Sequence, residues 1–152
     1  MEEVISIKDL KEVEAEMQSI IEREVKLLNG DGSRIFLAGF AQGAAMALTA
    51  GLQSKEKLGG IFAVEGYFIS TTEVNESNKD TPVLVILGKV PPEYPWDPAD
   101  GVYKDYEKTF DSLKSKKSSN TTVEVKEGTA YFDRETMQNK FVDFIKPLIK
   151  KP

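Results

Sequence analysis

The chain has 152 residues, of which 40% are hydrophobic, which suits one domain with a buried core and argues against a disordered tail. Its 20 Lys and Arg and 25 Asp and Glu give a net charge of −5, which disfavours nucleic-acid backbones as partners. It contains no Cys and no His, which excludes disulfides, thiolate and imidazole metal ligands and the commonest general base. We therefore expect no metal, no cofactor and no nucleic-acid partner.

The sequence gives no sign of membrane insertion or targeting. No apolar run is long enough to span a bilayer, and Met1–Val4 lack the basic and apolar character of a targeting peptide. The cytoplasm is therefore the default expectation for location, with an organelle complex as the open alternative. Because no repeat or second core is evident, residues 1–152 are interpreted as a single domain.

The first part of the chain predicts a helix, a strand and a second helix. Apolar residues recur at helical spacing from about residue 8 to 28, and Asn29-Gly30 is expected to end that helix. A short apolar run over about 34–38 predicts a strand buried on both faces, and small residues over about 42–54 predict a helix that packs closely on a sheet.

The remainder continues the alternation of strands and helices. Strands are predicted at Ile61–Val64, Pro82–Leu87 and Thr122–Lys126, and helices at about 99–117 and about 134–150. Strands that alternate with helices at this spacing indicate an α/β fold with a parallel sheet and right-handed crossovers.

The most informative stretch is Gly39-Phe40-Ala41-Gln42-Gly43, at the junction of the first strand and the helix after it. Gly39 and Gly43 are expected to flank a turn too tight for side chains. The pattern resembles the nucleophile elbow of α/β-hydrolases, Gly-x-Ser-x-Gly, in which a strained turn presents the Ser hydroxyl to substrate. Ala41 stands where that Ser is expected.

Nearly the whole chain, from the first helix to the last, is similar to the C-terminal part of the acyl-protein thioesterase and carboxylesterase family of α/β-hydrolases. Besides the elbow and its continuation Ala44-Ala45-Met46-Ala47-Leu48, the likeness lies in Lys57-Leu58-Gly59-Gly60, Thr81-Pro82-Val83-Leu84 and Glu127-Gly128. This resemblance implies a truncated α/β-hydrolase-like fold with about four parallel strands flanked by helices.

All three positions that the resemblance assigns to a catalytic triad carry other residues. Ala41 replaces the Ser, Pro91 falls on the Asp, and Tyr131 falls near the His. The backbone N–H of Gln42 is one expected oxyanion donor, and in the family the other donor comes from a loop ahead of the part that this chain resembles. We therefore expect a protein that is not an enzyme and has no catalytic residues.

The resemblance also predicts an exposed strand edge. In the family, the strand corresponding to residues 34–38 is interior, with earlier strands beside it. Without those strands one edge is unpaired, and an apolar unpaired edge favours association with another chain. Ile35, Phe36 and Leu37 are the candidate interface, and the partner is a separate N-terminal half, another copy or an unrelated subunit.

A second candidate contact lies in Pro91-Pro92-Glu93-Tyr94-Pro95-Trp96, where aromatic side chains stand among stiff prolines. Tyr94 and Trp96 suit a protein interface, and Trp96 suits equally well a cover over the end of the sheet.

Together these features predict a catalytically inactive α/β-hydrolase-like domain that acts as a structural or interaction subunit of a larger protein assembly. Two alternatives stay open. One is half of a split acyl-thioesterase or carboxylesterase completed by a partner chain. The other is a binder of small anions or acyl ligands at the amino terminus of the elbow helix.

Overall fold

A computed structural model describes residues 7–89, 102–117, 119–127 and 133–149. Four α-helices and four strands alternate along these residues. In chain order they are α1 (Ile7–Leu27), β1 (Phe36–Phe40), α2 (Gln42–Gln53), β2 (Gly60–Val64), β3 (Val83–Lys89), α3 (Val102–Lys116), β4 (Thr121–Glu127) and α4 (Arg134–Ile145). Short 3₁₀ turns lie at Gly32–Arg34, Glu76–Asn78 and Lys146–Leu148.

The strands form one parallel sheet in the order β1-β2-β3-β4. The fold class predicted from the sequence is therefore confirmed, including the number of strands and the alternation with helices. Every strand follows its neighbour both in the chain and in the sheet, so β1 and β4 form the two edges of the sheet that the structure describes.

Each face of the sheet is buried by helices. On one face, α2 and α3 cover the larger core, whose fully buried members include Leu48, Ile61, Val85, Phe110 and Leu113. On the other face, α4 covers the middle strands through Met137, Phe141 and Phe144, which pack on Phe62, Val64, Leu84 and Ile86. Burial on both faces explains why β2 and β3 are apolar runs without alternation.

The first helix forms a separate cluster beside α2. Its buried residues Ile21 and Val25 pack with Leu58 and with the half-buried side chains of Ile35 and Leu37. The Gln18 amide donates a 2.7 Å hydrogen bond to the carbonyl of Ala50 in α2. The face of α1 around Ile21 therefore meets the sheet, and the flank around Gln18 meets α2.

Several predicted boundaries are wrong by one to five residues. The first strand lies at Phe36–Phe40 instead of 34–38, because residues 32–34 form a 3₁₀ turn. The last helix ends at Ile145 instead of near 150, since Pro147 lies in the following 3₁₀ turn and cannot donate a helical hydrogen bond. Within the described residues, no helix is both long and apolar enough to cross a membrane.

A buried asparagine holds the loops at the amino ends of β2 and β3. The Asn78 amide donates to the carbonyls of Ser54 and Glu56, each at 2.8 Å, and its Oδ1 accepts from the Leu58 N–H at 3.0 Å. Asn78 is completely buried, so removal of its amide leaves these groups without partners.

We predict that Asn78→Ala lowers the free energy of unfolding by roughly 3 kcal/mol, because several buried polar groups lose their hydrogen bonds together. Urea denaturation measures this change. Asn75→Ala is the matched control, since its side chain caps only the 3₁₀ turn at Ser77, and should cost about 1 kcal/mol. Equal losses in the two variants would contradict the role given to Asn78.

Candidate functional site

The turn between β1 and α2 is held in a strained conformation. Ala41 has φ 54° and ψ −121°, which a residue with a Cβ rarely adopts. Its N–H donates to the Val64 carbonyl at 2.8 Å, and its carbonyl accepts from the N–H of Ala44 at 3.0 Å. One bond ties the turn to β2 and the other begins the helix, so neighbouring elements impose the strained angles.

Close backbone contacts surround this turn. A Cβ at Gly39 would lie 2.2 Å from the carbonyl oxygen of Gly43, and a Cβ at Gly66 would lie 2.4 Å from the Cβ of Ala44. Both positions therefore exclude a side chain. The corresponding expectation for Gly43 is wrong, because a Cβ there would meet no atom within 4 Å.

The turn exposes the amino end of α2 but offers no reactive side chain. Gln42 and Gly43 are exposed there, and Ala41 makes no side-chain cap. The N–H of Gln42 has no acceptor among the described residues, which leaves it available as a donor. The methyl group of Ala41 can neither attack a carbonyl nor hold a proton.

Sequence reasoning missed Glu65, the residue after β2. Its side chain is 3% exposed, and its Oε1 accepts a 2.7 Å hydrogen bond from the Gly88 N–H. Its Oε2 has no hydrogen-bond partner among the residues that the structure describes. Burial raises the pKa of the carboxyl to about 7, against the opposing effect of the Gly88 N–H. The available signal was a lone acid between Val64 and Gly66, inside an otherwise apolar stretch.

Glu65 also has a backbone constraint of its own. Its φ is 52°, and its N–H donates to the Ile86 carbonyl at 2.8 Å. The carboxyl ends of β1 and β2 thus each carry a non-glycine residue in the left-handed region, Ala41 and Glu65. The two strained residues are neighbours because Ala41 bonds to Val64.

The other predicted site residues do not lie in this part of the structure. Pro91, Tyr94, Trp96 and Tyr131 all lie outside the described residues. Among the residues that are described, no group of three or more Asp and Glu side chains is arranged to hold a metal ion.

The unpaired edge of β1 differs in detail from the predicted interface. Ile35 precedes the strand, and its carbonyl accepts from the Gly59 N–H at 2.8 Å. Ile35 and Leu37 are half-buried against α1, and the predicted interface at Ile35, Phe36 and Leu37 stays a prediction. The edge is centred on Ala38, which is exposed, between half-buried Phe36 and exposed Phe40.

Hydrogen-bond alternation shows which backbone groups lie on the outer side of β1. The Ile35 carbonyl and the Ala41 N–H both bond to residues on the β2 side. The peptide groups of odd-numbered residues along β1 therefore face β2. In a parallel strand, alternate residues direct their N–H and C=O groups to opposite sides. The peptide groups of Phe36 and Ala38 therefore face away from the sheet.

The two edges of the sheet differ in chemistry. β4 reads Thr-Thr-Val-Glu-Val-Lys-Glu, and Glu124 pairs with Lys140 of α4 at 2.5 Å. Charged side chains on an edge strand oppose pairing with other chains. β1 reads Phe-Leu-Ala-Gly-Phe and has no such protection.

A groove of about 510 Å³ lies between α4 and the amino ends of β3 and β4. Its walls include Pro82, Leu84, Thr122, Lys140 and Phe144. The elbow lies at the carboxyl end of β1, at the opposite edge of the sheet. The groove is therefore separate from the elbow.

Comparisons with known proteins identify the class. The profile of the Phospholipase/Carboxylesterase family matches residues 4–138, and the chain belongs to that family. Acyl-protein thioesterase 1 of Emericella nidulans is 34% identical over 115 residues, which cover 67% of this chain and 48% of that protein. A Dictyostelium discoideum acyl-protein thioesterase 1 homolog is 39% identical over 85 residues, covering 53% of this chain and 36% of the homolog.

Solved structures show the same fold. Arabidopsis thaliana SOBER1 L63A superposes with a TM-score of 0.76 at 19% identity, over 95% of this chain and 67% of that chain. The Bacillus cereus carboxylesterase superposes with a TM-score of 0.71 at 13% identity, over 98% of this chain and 66% of that one. Because the match covers 48% of the Emericella nidulans thioesterase, the chain spans about half the length of that protein. It is an α/β-hydrolase-like domain of thioesterase and esterase type.

We predict that Ala41→Gly raises the free energy of unfolding by about 1 kcal/mol. Glycine adopts the angles at position 41 without the steric cost that an alanine bears there. Ala45→Gly, one turn into α2 at a buried position, is the control and should lower stability by about 1 kcal/mol or more. Chemical denaturation measures both, and destabilisation by Ala41→Gly would show that the turn is not strained.

We predict that stability falls as pH rises from about 4.5 to about 7, because the pKa of Glu65 rises from 4.5 unfolded to about 7 folded. The folded state favours the neutral carboxyl. Stability is therefore highest below the unfolded pKa of 4.5, and it decreases as the pH rises through the folded pKa of about 7. This difference between the folded and unfolded pKa of Glu65 corresponds to roughly 3 kcal/mol of stability.

Glu65→Gln should remove this part of the pH dependence and raise stability at pH 8 relative to the unsubstituted chain. Urea titrations from pH 4 to 9 measure it. Parallel pH profiles for the two proteins would contradict the assignment to Glu65.

Proposed function

We propose that this chain is a catalytically inactive member of its family and serves as a structural or interaction subunit of a larger protein assembly. The observation that carries the proposal is the side chain at the elbow. Ala41 occupies the strained turn that presents the nucleophilic Ser in α/β-hydrolases, and its methyl group cannot form an acyl-enzyme.

The other groups that acyl transfer requires also support the proposed loss of catalytic activity. Acyl transfer requires a nucleophile, a base and oxyanion donors. The chain has no His to act as the base. Glu65 is a buried carboxyl at the end of the neighbouring strand, but its Oε1 is held by the Gly88 N–H. Among the elements of acyl transfer, the Gln42 N–H alone is retained at the turn.

The outer edge of β1 supports the subunit role. The outward peptide groups of Phe36 and Ala38 need hydrogen-bond partners if another protein covers them. No charge or proline on β1 discourages the addition of a strand. A neighbouring polypeptide that adds a strand beside β1 would satisfy these groups and bury the apolar edge.

We predict that the purified chain hydrolyses p-nitrophenyl acetate and a palmitoyl thioester no faster than the buffer does. Ala41→Ser should not restore activity, because a Ser hydroxyl without a base is a weak nucleophile. Acyl-protein thioesterase 1 of Emericella nidulans is the positive control. Turnover by the unsubstituted chain would overturn the proposal, and turnover by Ala41→Ser alone would show that Ala41 is the single lesion.

The split-hydrolase alternative is tested with the chain purified from its native source together with its bound partners. Thioester hydrolysis by that complex, absent from each separated component, would establish the split enzyme and reject the structural role. A complex without hydrolysis agrees with the proposal.

A further inference from the structure

We propose that the Glu65 side chain is a latch that closes the carboxyl end of the β2–β3 ladder while it is neutral and releases it on ionisation. Such a latch is a conformational switch within the fold, and it is independent of the proposed inactivity and of the subunit role. Three features support it, namely the position of Glu65 in the ladder, its burial and the different surroundings of its two oxygens.

The backbone ladder between β2 and β3 extends as far as the N–H of Glu65. That N–H donates to the Ile86 carbonyl at 2.8 Å. Val64 lies opposite Ile86 in the parallel register, so the position opposite Glu65 is residue 87. In a parallel ladder the next bond would run from the Gly88 N–H to the backbone carbonyl of Glu65.

The side chain of Glu65 takes the place of that carbonyl. Its Oε1 accepts the Gly88 N–H at 2.7 Å. The φ of Glu65 is 52°, so its backbone departs from the extended conformation of the strand. A side chain therefore makes this link between the strands, and rotation of that side chain would open it without breaking a backbone hydrogen bond.

The neutral carboxyl fits the two oxygens as they are placed. A neutral carboxyl has one oxygen that carries the proton and one that acts only as an acceptor. Oε1 accepts from Gly88, whereas the buried Oε2 has no partner among the described residues. The proton therefore belongs on Oε2, and the closed latch holds a neutral group in a buried place.

Ionisation favours release of the latch. A carboxylate would hold its charge in a buried place, with the Gly88 N–H as its one donor among the described residues. Burial raises the pKa and the Gly88 N–H lowers it, and burial is the larger effect, because the resulting pKa is about 7. Rotation into water would hydrate the charge at the loss of one hydrogen bond. We therefore expect release to increase as the pH rises through about 7.

Glu65 itself is the group that controls the latch. Over their whole lengths β1 and α2 carry no ionisable side chain. Burial and the Gly88 N–H account for the raised pKa of Glu65, with no contribution from a charged side chain of the described residues. The ionisable residues on the other neighbouring elements are Tyr67 after β2, Lys89 on β3, Lys126 and Glu127 on β4, Tyr106 on α3, and Arg134, Glu135, Lys140 and Asp143 on α4.

Release would separate the end of β3 from β2 beside the elbow. The connection that follows Glu65 is held on α3, because the Phe68 N–H donates to the Thr109 hydroxyl at 2.8 Å and Tyr67 stacks on Tyr106 at 5.2 Å. These contacts do not involve Glu65, so they persist when the latch opens. The movement is therefore expected at Gly88, where β3 loses its link to β2.

Hydrogen exchange of single amides, followed by NMR, tests the latch in the full chain. The Gly88 amide is the reporter, and the control is the Ile61 amide, which donates to the Pro82 carbonyl at the other end of the ladder. After correction for intrinsic exchange rates, Gly88 protection should fall at least tenfold from pH 5.5 to pH 8.5. Low concentrations of urea should accelerate exchange at Ile61 but not at Gly88, because a local opening exposes little surface.

Two substitutions separate the acceptor from the charge. Glu65→Gln keeps an oxygen for the Gly88 N–H but cannot ionise, so Gly88 protection should change less than threefold over the same pH range. Glu65→Ala removes the acceptor and should lower Gly88 protection at least tenfold at pH 5.5. Glu73→Gln, which alters an exposed acid in the connection after β2, is the matched control and should behave as the unsubstituted chain does. Circular dichroism confirms that each variant folds.

Three results would overturn the latch. They are Gly88 protection that Glu65→Ala leaves unchanged, a pH dependence of Gly88 that persists in Glu65→Gln, and exchange at Gly88 that rises with urea as steeply as at Ile61. The last result would mean that the link opens only when the whole ladder unfolds. Hydrolysis and association are not measured by these experiments, so the latch and the proposed function fail separately.

Discussion

The parallel pairing of β1 with β2 positions the elements around it. Its inward peptide groups form the ladder with β2, and that ladder continues through the Ala41 N–H to the carbonyl of Val64. The same constraint fixes the start of α2 and places α1 above the edge. On the other face, α4 lies over β2 and β3.

The elbow shows how a strained turn persists without the side chain that it presents in related enzymes. Its angles are imposed by the β1–β2 ladder, by the first hydrogen bond of α2 and by the close contacts at Gly39 and Gly66. None of these involves a hydroxyl at position 41. The backbone conformation is thus a property of strand and helix packing, and it survives where the chemistry is proposed to be lost.

Glu65 is a place where local chemistry and tertiary environment conflict. A carboxyl is rarely buried with an oxygen that lacks a partner, as Oε2 does among the described residues, and Glu65 itself also has a positive φ. Such conflicts concentrate at functional or formerly functional sites, because elsewhere they reduce stability without compensation. Glu65 lies beside the elbow, where the carboxyl ends of β1 and β2 meet.

The sequence by itself determined the α/β class, the four parallel strands, the strand–turn–helix at Gly39–Gly43 and the family, because these depend on local periodicity and on a short motif. It misplaced β1 by two residues, because residues 32–34 form a 3₁₀ turn and the strand begins at Phe36. Only the tertiary structure decided that Ile35 and Leu37 are covered by α1, that Gly43 has free space, that Glu65 is buried and that Ala38 is the centre of the edge. Each of these depends on residues distant in the chain, whose packing no local pattern encodes.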